Sequence, residues 1–486
     1  MSKILVTIYW LSVAALSVYG ILGLYTFGQY WRRRHDTFPS PPLPPDPPPV
    51  TIQLPIYNEQ FVIERLIQAA VAQDYPRHRL QIQIVDDSTD ATTTKAQHLA
   101  AHHNKRNGVD ISLVHRQQRT GYKAGALANA LPSARGEYIV IFDADFQPQP
   151  DFLQQTIPHF LADGRLGMIQ TRWGHLNDSE SALTAAQAIA LDKHFVMEQT
   201  VRHRANLFPK FNGAGGVWRR ACLETSGGWQ DDTVCEDLCL STRALLKGWQ
   251  FRFLNDVVAP AEIPISMAAY KNQQARWAKG SFQCLRKYIW PILSTHEQTI
   301  SARLYAILTM SAYATHILVI LLLLLQPLLI WLDYQVPAWI WLFTLASLGQ
   351  PLLFIFGQQV LYQDWVRRLR HFPTLMLIAI GLAPTNSRAI FQAGVGRHHP
   401  FIRTPKNVPF SHHPGYTLPY DSILLVELFL ALYALLGIFI AIKRHNLGPI
   451  FFLVVCASGL GYVALLTLRE HIDGRHTPFT PPTSAD

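Results

Sequence analysis

Two aspartates follow a strand-like run of apolar residues in the first third of the chain. Asp143 and Asp145 come directly after residues 138–142, YIVIF, which are apolar and β-prone. Like charges at the end of a buried strand cost desolvation energy unless an opposite charge offsets it. Their spacing lets both carboxylates face one divalent ion, and such oxygen ligands suit Mg²⁺ or Mn²⁺ when substrate phosphates complete the shell. The structural alternative is an exposed acidic turn.

A second acid pair and a glycine–lysine segment precede this one. Asp86 and Asp87 end the run IQIVDD, where capping of the next helix is the local alternative. The segment 119–127, RTGYKAGAL, combines glycines with Lys123. This composition suits a loop that touches phosphate, although the spacing is not that of a P-loop.

Three later segments add backbone flexibility, acids and a cation. Residues 211–220, FNGAGGVWRR, hold three glycines that permit close backbone approach to a ligand. Glu236 and Asp237 fall in the first turn of a predicted helix, where the helix dipole by itself already favours acids. The segment QQARW combines Gln273 with Arg276, which suits phosphate binding, and with Trp277, on which a sugar ring could stack.

Strands and helices alternate through the region that holds these motifs. Strand-like runs at 50–57, 82–87, 111–116 and 138–142 are separated by helical patterns. This alternation predicts a parallel sheet, in which ligands bind beyond the carboxyl ends of the strands. Both acid pairs fall at such ends. We therefore expect the acids to line a crevice rather than a core.

The composition indicates a membrane protein. Hydrophobic residues make up 49% and charged residues 15% of the chain, against about 25% charged in typical globular domains. Residues 4–27 carry no charge, and they are too long for a signal peptide but long enough to span a bilayer. One lysine before this run and three arginines after it predict a cytosolic downstream side.

The distribution of charge and cysteine excludes other classes of function. Much of the net charge of +9 lies beside apolar runs, where the positive-inside rule explains it without nucleic acid and makes anionic lipids the expected neighbours. The five scattered cysteines form neither a disulfide framework nor a zinc motif.

The C-terminal half is apolar again. Four further runs are long enough to span: 304–332, 336–357, 422–442 and 449–468. Residues 372–384 are too few to cross, and both flanks are basic, so this segment is predicted to be re-entrant or interfacial. Glu427 lies inside one span and should face other helices or water.

The order of these motifs resembles the membrane-bound family-2 glycosyltransferases of the cellulose-synthase-like group, most like the plant mannan and glucan synthases. The resemblance is carried by DDSTD, GYKAGAL, FDADFQP, FNGAGGVWR, CEDLCLSTRALLKGW and QQARW over residues 50–285. FIRTPK at 401–406 is similar to the gating loop of bacterial cellulose synthase, with Arg403 where valine is usual. Cys235 stands where threonine or valine usually precedes the Glu–Asp pair.

The resemblance implies the fold and the domain order. The fold class is an α/β, GT-A-type (Rossmann-like) cytosolic glycosyltransferase domain plus an α-helical transmembrane domain. The expected segments are an N-terminal transmembrane helix (1–30), a basic and proline-rich linker (31–49), a cytosolic GT-A catalytic domain (50–285), an interfacial segment (286–303), two transmembrane helices (304–357), a re-entrant or interfacial segment with the gating loop (358–420), two transmembrane helices (421–470) and a C-terminal tail (471–486).

The resemblance also implies the roles of the site residues. Asp237 is the implied general base, with Glu236 beside it, and Asp143 and Asp145 hold Mg²⁺ or Mn²⁺. The implied nucleotide-sugar contacts are Asp86, Asp87, Lys123, Gln273 and Arg276. The implied acceptor contacts are Asn212, Gly213 and Trp277. The implied gating-loop residues are Phe401, Thr404 and Lys406.

The implied activity is that of an inverting, processive glycosyltransferase embedded in a membrane. It extends a β-linked polysaccharide (β-1,4-mannan, glucomannan or β-1,4-glucan) from GDP-mannose or UDP-glucose and passes it across the bilayer. Its partners are the nucleotide-sugar, the growing glycan and lipid, without nucleic acid; a homo-oligomer stays open. The membrane is the plasma membrane in a bacterium or the Golgi in a plant-like cell. Two alternatives remain: a glycolipid-forming transferase like ceramide glucosyltransferase, and a glycan-exporting channel with an inactive catalytic domain.

Overall fold

A seven-stranded mixed sheet forms the centre of the soluble part of the molecule. The computed structural model describes residues 2–36, 38, 40–396 and 421–476. The strand order is β3-β2-β1-β4-β6-β5-β7. The strands are β1 (Val50–Ile56), β2 (Leu80–Asp86), β3 (Asp110–His115), β4 (Tyr138–Ile141), β5 (Leu166–His175), β6 (Gly216–Arg219) and β7 (Gln250–Ala261).

The helices divide between the faces of this sheet and an apolar bundle. Those of the sheet domain are α2 (Ile63–Val71), α3 (Thr92–Asn107), α4 (Tyr122–Ala130), α5 (Phe152–Ala162), α6 (Ala182–Asp192), α7 (Thr200–Arg204), α8 (Arg220–Thr225) and α9 (Glu236–Leu246), with a π-helical turn at Lys193–Gln199. The others are α1 (Ser2–Arg33), α10 (Met267–Ser294), α11 (Ile300–Met310), α12 (Ala314–Trp331), α13 (Trp341–Ser347), α14 (Gly349–Leu361), α15 (Trp365–Arg368), α16 (Phe372–Gly381), α17 (Ala383–Gly394), α18 (Ile423–Lys443) and α19 (Ile450–His476).

Buried polar side chains fix the register of the central strands. Every residue of β2 is buried. The Thr51 hydroxyl donates to the Gln81 amide at 2.8 Å, and the Gln53 amide donates to that of Gln83 at 2.9 Å, across parallel partners in register. Because buried polar groups need partners, a slip of this pairing is unfavourable: it would break both side-chain hydrogen bonds between Thr51, Gln53 and the two glutamines of β2.

One strand departs from the predicted parallel sheet. β6 runs antiparallel to both of its neighbours, β4 and β5. The chain enters β6 from the glycine-rich loop, and Gly215 in that loop adopts φ of +64. This reversal brings the loop to the edge where β4 ends, because the start of an antiparallel strand lies at the carboxyl end of its neighbour.

Within the described residues, four helices are long and apolar enough to cross a membrane, judged by length and composition: Lys3–Arg33, Ala314–Trp331, Ile423–Lys443 and Ile450–Ile472. The pair Trp365–Gly381 and Ala383–Gly394, bent by 40°, would raise this to five if it forms one span. The predicted re-entrant path of residues 372–384 falls at this bend and stays a prediction.

Two apolar runs that read as single spans are broken in the structure. The run 304–332 is divided between α11 and α12 by a turn, where the Tyr19 hydroxyl of α1 donates to the freed carbonyl of Ser311 at 3.2 Å. The run 336–357 is divided between a 3₁₀ turn, α13 and α14. At the second break Gly349 lies against Gly20 and Gly23 of α1, so the two backbones approach closely.

Candidate active site

Lys123 links the end of β4 to the glycine-rich loop. Its ammonium group donates hydrogen bonds to Asp143 Oδ1 and, at 3.0 Å, to the carbonyl oxygen of Gly213. Asp143 and Asp145 directly follow β4 and are partly exposed at the carboxyl end of the sheet. The DxD, GYK and FNG motifs therefore meet in one crevice, at the edge where the sequence predicts it.

Gly213 brings Asp237 to the same crevice. A Cβ atom built on Gly213 would lie 3.1 Å from Asp237 Oδ2 and 3.6 Å from Lys123 Nζ. Gly213 also adopts φ of +89, a conformation that glycine reaches without steric cost. The absence of a side chain thus leaves room for the carboxylate and the ammonium group together on one side of the loop.

Helix α9 presents Glu236 and Asp237 in its first turn. The Asp237 carboxylate accepts the N–H of Leu238 at 2.8 Å. Burial raises the pKa of Glu236 to about 7, and the charge of Asp237 adds to this effect. Burial also raises the pKa of Asp237, against the charges of nearby Lys123, Lys210 and Arg276. A carboxylate with a raised pKa is a stronger base for an incoming hydroxyl group.

Helix α10 closes the crevice on the side of α9. Gln273, Arg276 and Trp277 lie on this helix and are partly buried. Cys235 Sγ fills the space that Gly280 leaves on α10, and the Val234 N–H donates to Gln283 Oε1 at 3.1 Å. The cysteine that departs from the family pattern is therefore accommodated by a glycine on the facing helix.

The membrane helices hold α10 in place. Glu470 of α19 accepts the backbone N–H groups of Met267 and Ala268 at 2.5 and 3.0 Å, which caps the start of α10. Lys271 of α10 donates to Glu427 of α18 at 2.7 Å. Glu427 is fully buried, which confirms that it faces other helices rather than lipid.

The second acid pair lies at the end of β2. Asp86 is fully buried, and its carboxylate accepts from the Ser88 N–H at 2.9 Å and the Thr93 hydroxyl at 2.6 Å. Asp87 forms a bidentate pair with Arg116 at 2.6 and 2.8 Å. Both acids are thus buried and held in place, Asp86 by its own loop and Asp87 by Arg116.

The structure reveals functional candidates that the sequence does not indicate. His194 Nε2 lies 3.1 Å from Asn212 Nδ2, and the Gln199 amide donates to Asn212 Oδ1 at 2.6 Å. Burial lowers the pKa of Lys210 to about 8, beside Asp237. Single polar residues in a helical run give no periodic signal, and only the position of Lys210 next to the FNG motif could have indicated it.

The carboxylates after β4 fit a divalent cation. Asp143 and Asp145 are two oxygen donors at a crevice, which matches the ligand set of Mg²⁺ or Mn²⁺ when substrate phosphates supply further ligands. Among the described residues, three or more acids, histidines or cysteines gather nowhere in a metal-binding arrangement. A cation held by Asp143 and Asp145 therefore takes its remaining ligands from substrate phosphates or water. The predicted gating-loop residues Phe401, Thr404 and Lys406 lie outside the described residues.

Known proteins share the sheet domain. The family described as "Glycosyltransferase like family 2" matches residues 47–280. Glucomannan 4-beta-mannosyltransferase 2 of Arabidopsis thaliana is 39% identical over 263 residues, which is 54% of this chain and 49% of the plant protein. Glucomannan 4-beta-mannosyltransferase 1 of Oryza sativa subsp. japonica is 38% identical over 288 residues, covering 57% and 55%. The chain thus spans about half the length of these curated relatives.

A solved structure shares the fold. Mannosyltransferase PcManGT from Pyrobaculum calidifontis, in complex with GDP-Man and Mn²⁺, superposes with a TM-score of 0.57 at 23% identity and covers 80% of this chain and all of that one. This similarity supports the GT-A-type fold alone. Residues 47–280 of this chain therefore match a family-2 glycosyltransferase domain, and about half of the chain is similar to the plant mannosyltransferases.

Proposed function

We propose that this protein is an inverting glycosyltransferase that extends a β-linked polysaccharide from a nucleotide-sugar and passes it across its own membrane. The observation that carries the proposal is the approach of Asp237 and Lys123 to the same side of Gly213, with Asp143 bonded to the same lysine. One crevice thus combines a base with the groups that hold a diphosphate. Inverting transfer requires these two functions on the two sides of one sugar ring.

Asp237 is the base in this proposal. It takes the proton of the acceptor hydroxyl group while that oxygen attacks the anomeric carbon from the side opposite the nucleotide. Displacement from that side turns an α-linked donor into a β-linked product. Glu236 keeps a neighbouring negative charge that raises the proton affinity of the pair.

Cationic groups receive the leaving diphosphate. Lys123 and Arg276 bind its oxygens, and Gln273 adds an amide donor from α10. A divalent ion on Asp143 and Asp145 would neutralise negative charge on the leaving group. Asp86 and Asp87 are both buried, bonded to His115 and to Arg116, and these two pairs would border the nucleoside.

The donor that we propose is GDP-mannose. The plant relatives are glucomannan 4-beta-mannosyltransferases, and the solved protein of the same fold carries GDP-Man with Mn²⁺. The product would then be a β-1,4-mannan or glucomannan. UDP-glucose, giving a β-1,4-glucan, is the donor to compare with it.

The membrane part completes the proposal. Apolar helices associate the chain with a bilayer, and three arginines at 32–34 favour a cytosolic catalytic domain. The predicted domain boundaries, the re-entrant segment and closure of Phe401, Thr404 and Lys406 over the donor belong to the same proposal. Trp277 and the Asn212–Gly213 loop would border the acceptor sugar.

Incubation of the purified protein with radiolabelled GDP-mannose or UDP-glucose and Mn²⁺ tests the proposal. We expect a β-linked polymer that a β-mannanase degrades. A single organic-soluble product would instead show glycolipid synthesis. Nucleotide binding without any transfer would show an inactive catalytic domain, and either result would overturn the proposal.

A further inference from the structure

We propose that His194 and Glu198, on the π-helical turn, are positioning residues that fix the acceptor side of the crevice by orienting the side chain of Asn212. This inference rests on the proposed transferase function. It assigns a task to a partly buried polar cluster beside the Asn212 loop.

The hydrogen bonds of the cluster run in one direction. His194 Nδ1 lies 2.8 Å from Glu198 Oε2, and because a carboxylate only accepts, Nδ1 carries the proton. His194 Nε2 then accepts from Asn212 Nδ2 at 3.1 Å. Asn212 Oδ1 accepts in turn from the Gln199 amide at 2.6 Å. The orientation of the Asn212 amide is therefore set by the tautomer of His194.

The charges in the cluster favour this tautomer. Burial lowers the pKa of His194 to about 4, so the ring is neutral at physiological pH. Burial opposes ionisation of Glu198, but the charge of Lys193 and the hydrogen bond from His194 hold its pKa well below the ordinary value. Lys193 donates to Oε1 of Glu198 and leaves Oε2 for the histidine. A neutral ring facing an ionised carboxylate keeps its proton on Nδ1.

Asn212 transmits this orientation to the reacting groups. Its backbone N–H donates to Gln170 Oε1 at 2.8 Å, and the next residue is Gly213, whose carbonyl accepts from Lys123. Gly213 lies against Asp237. Both polar ends of the Asn212 side chain are occupied by the protein, so its contribution is to hold the loop. Rotation of this amide would displace Gly213, the loop residue that lies next to both Asp237 and Lys123.

The π-helical turn supports the cluster from the membrane side. Lys193 Cα lies 3.3 Å from the position that a Cβ on Gly357 of α14 would take. Asp192, at the end of α6, accepts from Gln358 of α14 at 2.8 Å. Wide π-turns often occur at functional sites, and this one lies between the acceptor loop and a helix of the apolar bundle. Movement of α14 would therefore reach the acceptor loop through Asp192 and Lys193, where α6 joins the turn.

The test compares two replacements of His194 that preserve different contacts. His194→Asn keeps a donor for Glu198 but is too short to reach Asn212, whereas His194→Gln offers an oxygen near the position of Nε2. The measurement is the ratio of nucleotide diphosphate released to sugar incorporated into product. We expect His194→Asn to lower incorporation by about tenfold to a hundredfold, because misplacement of a reactant by about an ångström has that effect. Hydrolysis of the donor by water should fall less, so the ratio of diphosphate released to sugar incorporated rises. His194→Gln should return this ratio towards the value of the unmodified enzyme.

Glu198→Gln tests the tautomer argument separately. A glutamine whose oxygen faces Lys193 turns its amide N–H groups towards His194 Nδ1, which moves the histidine proton to Nε2. Two donors then face each other at Asn212 Nδ2, and we expect the same rise in the ratio. His175→Asn is the control, since His175 forms a more deeply buried histidine–carboxylate pair with Asp192 at 2.9 Å without contact to Asn212. It should lower thermal stability and leave the ratio unchanged.

Two results would overturn the inference. If the unmodified enzyme is active and His194→Asn, His194→Gln and His175→Asn all give its ratio, the cluster has only a structural role. Absence of incorporation by the unmodified enzyme with either nucleotide-sugar would overturn the proposed function, and this inference with it. Unchanged binding of GDP with Mn²⁺ in His194→Asn would confirm that the donor side is intact.

Discussion

Asp237 in the crevice and Glu427 in the membrane bundle are both acids in an apolar setting, but they face different groups. Glu427 is fully buried and accepts from Lys271 at 2.7 Å, and the same ammonium donates to Thr467 at 2.9 Å. Asp237 accepts one backbone N–H, and the part of the chain that the structure describes gives its carboxylate no ion pair within 4 Å. One acid is neutralised by a neighbour and the other is not.

This difference separates an acid that holds the structure from an acid that can react. A carboxylate bound to a buried lysine has no capacity to take a proton without breaking the pair. Asp237 keeps that capacity, because its neighbouring cations act at a distance and its pKa is raised by burial. Lys271 and Arg276 lie on the same helix, so the pair in the bundle positions one wall of the crevice.

Replacement of Lys271 should give the largest loss of stability. Lys271→Met leaves Glu427 without its cation, and breaking a buried pair costs about 3–5 kcal/mol. The double variant Lys271→Met/Glu427→Met should recover most of this loss. Thermal unfolding in detergent measures both. Arg444→Met is the control, since Arg444 and Asp333 form an exposed pair 3.0 Å apart whose loss should cost at most about 1 kcal/mol. Equal effects of the two single replacements would contradict the structural role of Lys271.

Gly213→Ala should have the next largest effect, on activity. The new methyl group would lie 3.1 Å from Asp237 Oδ2 at φ of +89, so the loop or the base must move. Such strain costs about 1–3 kcal/mol. Gly248→Ala is matched in strain, because Gly248 has φ of +83 and open space around it. We expect similar losses of melting temperature but a loss of transfer only in Gly213→Ala. Equal transfer rates would show that Gly213 is remote from the reacting groups.

Glu236→Gln should give the smallest change, a shift in pH dependence. The base acts when deprotonated, so transfer falls as pH drops through the pKa of the Glu236–Asp237 pair, where Glu236 lies at about 7. Removal of the Glu236 charge makes Asp237 easier to ionise, so the acid limb of the rate profile should move to lower pH by about one unit. Glu224→Gln, at an exposed helix position, should leave the limb in place. Movement of the limb to higher pH would contradict the coupling of the two acids.

The sequence predicts the crevice well because its parts follow simple rules. The apolar run before Asp143 is long enough for a buried strand, and strands that alternate with helices end at one edge of a sheet. The motifs at 121–123 and 211–213 carry glycines where the chain must turn. Lys123 of the first motif donates a hydrogen bond to Gly213 of the second. The helical position of Asp237 follows from its place in the first turn of α9.

Other features depend on contacts that no local pattern encodes. The antiparallel direction of β6 is fixed by pairing with strands far apart in the chain. The breaks in the apolar runs arise where Tyr19 and Gly20 of α1 meet residues some 300 positions later. The sequence does not indicate which lysine pairs with Glu427. The His194 cluster likewise combines residues that have no shared periodicity.

The rate of sugar transfer by Asp237→Asn, measured together with its affinity for GDP and Mn²⁺, tests the central claim most directly. Loss of a general base lowers rates by about 10²–10⁴-fold, so transfer should fall into that range while GDP affinity is unchanged. Asp232→Asn, at an exposed aspartate paired with Lys287, should retain both. Transfer by Asp237→Asn at the rate of the unmodified enzyme would contradict the assignment of Asp237 as the base and with it the proposed mechanism.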